Sequence, residues 1–125
     1  MTIQQVLDQV DRRKANMMAR EDKIAYLNEI ENQIHREIIM THEHTQEQET
    51  APSYDDETDA GTVLLIPVPY DKLYVFCILS QIDQDYQEAD KYNNDRAQFE
   101  TNYEEMSDWY TRTHMPLQAG REFLA

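Results

Sequence analysis

The chain has 125 residues, 25 Asp and Glu against 11 Lys and Arg, and a net charge of -14. That length fits one domain, and a chain of this size can bury about two-thirds of its unfolded surface, enough for a real core. The acid argues against a protein that grips nucleic-acid phosphates or anionic membranes. A single cysteine, Cys77, excludes an internal disulfide framework and a multi-cysteine zinc site.

Only 2 glycines and 4 prolines, with abundant Glu, Gln, Leu, Ile, Met and Ala, favour helices. Met1-Thr2-Ile3-Gln4-Gln5 has no basic region followed by an apolar run, so no signal peptide is expected. The longest apolar stretch, Val63 to Ile66, is too short to span a bilayer. The expectation is a soluble, acidic, mostly helical domain, intracellular or associated with a particle.

A first helix is expected from Ile3 to about Arg13, because Ile3, Val6, Leu7 and Val10 recur at helical spacing. Thr2 with Gln5 three residues on reads as a capping box. Arg12, Arg13 and Lys14 put positive charge at the C-terminal end, where the helix dipole favours it.

A second helix is expected from about Arg20 to Met40, on the repeat Ile24, Leu27, Ile30, Ile34 and Ile38. The short link between the two favours an antiparallel pair.

Residues 41–69 carry 7 acids and no Lys or Arg. Within them, 41–61 have no periodicity and read as a long acidic loop, of a length that is usually functional or disordered. Such a loop offers no apolar face to a core, so it is expected to serve assembly and to be mobile in the free chain. Thr62 to Ile66 reads as a short extended segment. Pro67 and Pro69 keep Ile66 and Val68 extended and open the next helix.

A third helix is expected from about Tyr70 to Tyr92. Leu73 to Leu79 is apolar on every face, the pattern of a central buried helix. Asn93-Asn94 reads as a break or an N-cap, and a fourth helix follows to about Thr113 on Phe99, Tyr103, Met106 and Tyr110. Glu100, Glu104, Glu105 and Asp108 form its opposite face. Pro116 and Gly120 end regular structure, and Phe123-Leu124 reads as a docking tail. The domain is taken as 1–114, with 115–125 as a tail. The fold class is all-α: a four-helix bundle with a long acidic loop and a short extended segment between helices 2 and 3.

Chemistry-bearing residues are sparse. Cys77 has the residue type of a nucleophile, but its apolar run makes it a core residue. His42-x-His44, and Glu31 with His35 one turn later, carry metal-ligand residue types without the paired Glu-x-x-His motifs of a di-metal bundle. His35 reads as a helix-surface residue and His114 as one near the C-terminus. Two glycines cannot build a phosphate cradle. No catalytic, cofactor-binding or metal-binding residue is assigned, and the chain is not read as an enzyme. Eight tyrosines and one tryptophan exceed what so small a core is expected to absorb. They suit an interface or the ends of a helical core, and the sequence favours neither.

Four stretches carry a resemblance. They are Val10-Asp11; Tyr26-Leu27-Asn28-Glu29-Ile30-Glu31 leading to Ile34-x-Arg36-Glu37; Leu64-Leu65-Ile66-Pro67-x-Pro69-Tyr70-Asp71-x-Leu73-Tyr74; and Tyr92-Asn93-Asn94 with Phe99-x-x-x-Tyr103 and Trp109-Tyr110-x-x-Thr113-His114-x-Pro116. In this order, over residues 3 to about 116, they resemble the head–tail connector, or neck adaptor, family of tailed phages of Gram-positive hosts. The resemblance implies a small helical protein made in the host bacterial cytoplasm and located in the virion neck. It implies a homo-oligomeric ring of about a dozen copies between the portal protein and the tail-side stopper protein. DNA would pass through the lumen without specific binding, and no catalytic residue or cofactor transfers. The competing expectation is an acidic intracellular binding protein, a polyanion mimic or a chaperone for a basic partner.

Overall fold

The computed structural model describes residues 1–117. Four α-helices dominate, and no strand is present among the described residues: α1 (Ile3–Arg13), α2 (Arg20–Ile34), α3 (Lys72–Asp85) and α4 (Ala89–Thr113). The tail residues Gly120 and Phe123-Leu124 lie outside the described residues.

The start of α1 follows its expected chemistry. Thr2 Oγ1 accepts from the Gln5 amide at 3.2 Å, and Gln5 Oε1 accepts from the Thr2 amide at 2.9 Å. Two of the free N–H groups at the helix start are thus satisfied. Ile3, Val6, Leu7 and Val10 are all buried, each worth about 1.5–3 kcal/mol against exposure.

The second expected helix extends as far as predicted but changes its winding. After Ile34 the backbone runs as a π-helical turn, His35–Ile39, closed by the Met40 amide on the His35 carbonyl at 2.9 Å. Widening the turn turns both Ile38 and Ile39 inward, and His35 with them. His35 is therefore a buried residue, 7% exposed, and not the surface residue that an unbroken 3.6-residue repeat places there.

The third expected helix is two. α3 stops at Asp85 in a Schellman motif: the Glu88 amide donates to the Asp83 carbonyl at 2.9 Å and the Gln87 amide to the Gln84 carbonyl at 3.1 Å. Gln87 occupies the left-handed position at φ 58°. Glycine usually fills that position, so the stop has no glycine or proline to announce it. The expected break at Asn93-Asn94 is absent, because both residues lie within α4, which starts at Ala89.

α3 is the central element, as its apolar run predicts, and α1, α2 and α4 each pack against it. Leu73, Tyr74, Val75, Cys77, Ile78 and Leu79 are buried. α4 is long but buries only Phe99, Met106 and Tyr110. The connection from α2 to α3 contains a 3-10 turn, Gln46–Glu49, and an extended stretch that bridges Val63 to Thr2. Within that stretch Leu64 and Ile66 point inward while Val63 and Leu65 face solvent, the alternation of a half-buried strand.

Candidate functional site

The polar centre of the molecule is Glu31, wholly buried in α2. Its carboxylate accepts from the Tyr74 hydroxyl of α3, the Tyr54 hydroxyl at 2.9 Å and the Leu65 amide at 3.0 Å. Tyr74 also accepts from the Ile66 amide at 3.0 Å. Burial pushes the Glu31 carboxyl above its ordinary range, and the three donors offset part of that rise. Burial and the adjacent carboxylate likewise push both tyrosine hydroxyls upward, which keeps them protonated as donors. This arrangement joins α2, α3, the acidic connection and the extended segment. Its three donors all come from within the chain, so it ties these parts of the fold together.

The connection is therefore attached more firmly than its composition suggests. The Tyr54 amide donates to the Asn28 side chain at 2.8 Å, and the His35 ring meets the Gln48 carbonyl at 2.6 Å. These two anchors serve the fold, contrary to the expectation that the connection serves assembly alone. Its seven acids stay outside; Glu43, Glu47, Glu49, Asp55, Asp56, Glu57 and Asp59 are all exposed.

The structure separates the sequence-level metal candidates. Glu31 faces the tyrosines, while His35 faces Gln48. The two nitrogens of His42 are engaged by the Ile38 carbonyl at 2.7 Å and Thr111 Oγ1 at 3.0 Å. His44 Nδ1 meets the His42 carbonyl at 2.7 Å. Among the described residues, no group of three or more His, Cys, Asp or Glu is placed to hold a metal ion. Cys77 lies in the core, where burial pushes its thiol up to about 11.

The aromatic residues divide between core and rim. Tyr74 and Tyr110 are buried. Tyr70, at the end of the Pro67–Pro69 stretch, stacks on Trp109 of α4 with ring centroids 4.9 Å apart. Tyr110 is sandwiched by His114, stacked at 3.9 Å, and His42, edge-on at 5.2 Å. Tyr70 and the Trp109-Tyr110 pair thus meet towards the C-terminal end of α4. Beside them in the chain, Val68 is 74% exposed and Val63 70% exposed, with Leu65, Met115 and Leu117 also outward.

The candidate site is this surface: the exposed aliphatic side chains of residues 63–68, with the Tyr70–Trp109 stack just after them in the chain and the acidic stretch 43–59 just before. Exposed aliphatic side chains together with tyrosine and tryptophan are the composition of a contact surface. No helix among the described residues is long and apolar enough to cross a membrane. No protein-family model, curated protein or solved structure matches the chain significantly.

Proposed function

We propose that the chain is a structural virion protein, a ring-forming head–tail connector that docks on a phage portal and lets DNA pass to the tail. In this reading the helices act as a four-helix bundle, and the acidic connection with its extended segment is the assembly face. The observation that carries it is the two-sided segment 62–69. Leu64 and Ile66 lock it to the core while Val63, Leu65 and Val68 stand outward. Such a segment presents apolar area from a fixed position, so contact costs little ordering entropy. The excess of acid supports the lumen role, since few phosphate contacts means little drag on passing DNA.

A second reading, an acidic binder of a basic macromolecule, is favoured by the seven acids of residues 41–69 without a Lys or Arg. The oligomeric state separates the two. Mass photometry and negative-stain microscopy of the chain, alone and mixed with portal rings, should show rings or multiple copies added to the portal. The double variant Val63→Asp/Val68→Asp should abolish that assembly with unchanged helical circular dichroism. A chain that stays monomeric and leaves the portal bare sinks the connector reading, as does normal assembly by the double variant.

A further inference from the structure

Between the end of α1, the end of α3 and the first half of α4 lies a pocket of about 340 Å³ lined by Lys14, Leu79, Asp83, Asn94 and Asp95. Asp83 is wholly buried there. Its Oδ1 accepts from Lys14 Nζ at 2.6 Å, but its Oδ2 has no hydrogen-bond partner in the protein. A buried carboxylate oxygen without a donor is costly. The Asp95 side chain, from the facing helix, lies within hydrogen-bonding reach of it. Two ionised carboxylates at that separation repel, whereas one proton between them turns repulsion into a hydrogen bond.

We infer that Asp83 and Asp95 share one proton, and that this proton latches the first half of α4 onto α3. The latch sits where apolar packing is thinnest, since residues 89–98 contribute no buried side chain to the core. Other charged groups border the pair. From the end of α1 come Arg13 and Lys14, from the turn Glu88, and from α4 Lys91. Lys14 is held by Asp83 and by Glu88 at 2.8 Å, and Lys91 by Glu88 at 2.6 Å. Burial first, then the hydrogen bond and charge of Asp83, push the Asp95 carboxyl up to about 7, against the opposing pull of Lys14 and Arg13.

The sign follows from linkage. A carboxyl raised on folding adds stability that is full below its unfolded value of 3.8 and lost as pH rises through about 7. The hairpin of α3 and α4 is therefore closed in mild acid and loosened above neutrality. This device is independent of the connector role and would operate in either functional reading.

Carbon-13 carboxyl NMR of the full chain from pH 4 to 9 tests it directly. One Asp carboxyl should titrate near neutrality, and Asp95→Asn should remove that transition. Hydrogen-exchange protection of residues 89–98, corrected for intrinsic rates, should fall by up to about tenfold per pH unit between about 4 and 7 and level off above that. In Asp95→Asn, whose amide donates at every pH, the protection should stay level. Asp83→Asn should lower the Asp95 midpoint by at least one unit, and it serves if the first variant does not fold. The latch is refuted if every Asp titrates below pH 5, if Asp95→Asn keeps the protection loss, or if Asp83→Asn leaves the Asp95 midpoint in place.

Discussion

Tyr74 in α3 donates its hydroxyl to the Glu31 carboxylate in α2, and both side chains are wholly out of solvent. Because the same hydroxyl accepts from the Ile66 amide, one oxygen serves three parts of the chain. Tyr74→Phe leaves a carboxylate oxygen and a backbone N–H short of a partner, so it should cost about 2–4 kcal/mol. Tyr54→Phe removes a donor from an oxygen that keeps the Leu65 amide, so its cost should be about 1 kcal/mol. Urea unfolding of the two variants gives the order. Equal losses would mean that Glu31 relaxes toward solvent and the tie is not specific.

The α3 stop makes a different kind of prediction. Gln87 is exposed and held at φ 58°, a backbone region that is strained for a side chain with a Cβ. Gln87→Gly should relieve that strain and stabilise the chain by about 0.5–1 kcal/mol, despite the added freedom of the unfolded glycine. Thermal unfolding measures it. A loss of stability would mean that the Gln87 side chain contributes contacts outweighing its backbone.

These two sites show what the sequence discloses. The α1 boundaries were legible because local chemistry determines them: an apolar stripe, a Thr-x-x-Gln start and a basic end. The central position of α3 was legible because an all-apolar face has nowhere else to go. The α3–α4 break was hidden because its left-handed residue is a glutamine, while Asn93-Asn94 resembled a cap without serving as one. Glu31 stood out only beside His35, as a metal-ligand residue type, and Asp83 was passed over among 25 acids, yet a signal for the burial of both existed. Glu31 falls four after Leu27 and three before Ile34, and Asp83 four after Leu79, so both lie on apolar stripes. An acid on a core stripe demands partners, and those partners are set by tertiary contacts far away in sequence.

Cys77 should behave as a core thiol. With its thiol pushed up to about 11, only about one molecule in a thousand is thiolate at pH 8, against about a quarter for a free cysteine. Labelling by an aromatic disulfide reagent should be more than about a hundredfold slower than in urea-unfolded chain. Cys77→Ala should cost about 1 kcal/mol or slightly more as a small cavity, and Cys77→Asp far more. Rapid native labelling would show that α3 opens to solvent under native conditions.

The acidic connection permits a separation of charge from attachment. Its anchors are neutral groups, Tyr54 on Glu31 and Asn28, and the Gln48 carbonyl on His35. Its acids are exposed, and their contacts are local or slight. Asp55 Oδ1 accepts from the Glu57 amide at 2.9 Å and Asp59 Oδ1 from the Gly61 amide at 2.8 Å, roles that an Asn oxygen can fill. Asp56 pairs with Arg20 at 2.9 Å in the open, where such pairs contribute about 0–1 kcal/mol. Replacing all seven acids of residues 43–59 by Asn and Gln should therefore change stability by about 1 kcal/mol at most. Replacing residues 43–60 by a Gly/Ser linker should cost about 2–4 kcal/mol instead, because Glu31 loses the Tyr54 donor and the apolar ring packed beside it. Assembly should respond in the opposite way. The neutralised chain keeps the strip of Val63, Leu65 and Val68 but removes seven negative charges beside it in the chain, so binding to portal rings should lose most of its salt dependence. Unfolding curves and portal binding at low and high salt, measured on both variants, decide the matter. If the neutralised chain unfolds, the acids are structural and the anchors are not sufficient. If it folds and binds with unchanged salt dependence, the charge faces solvent alone and contact rests on the apolar strip.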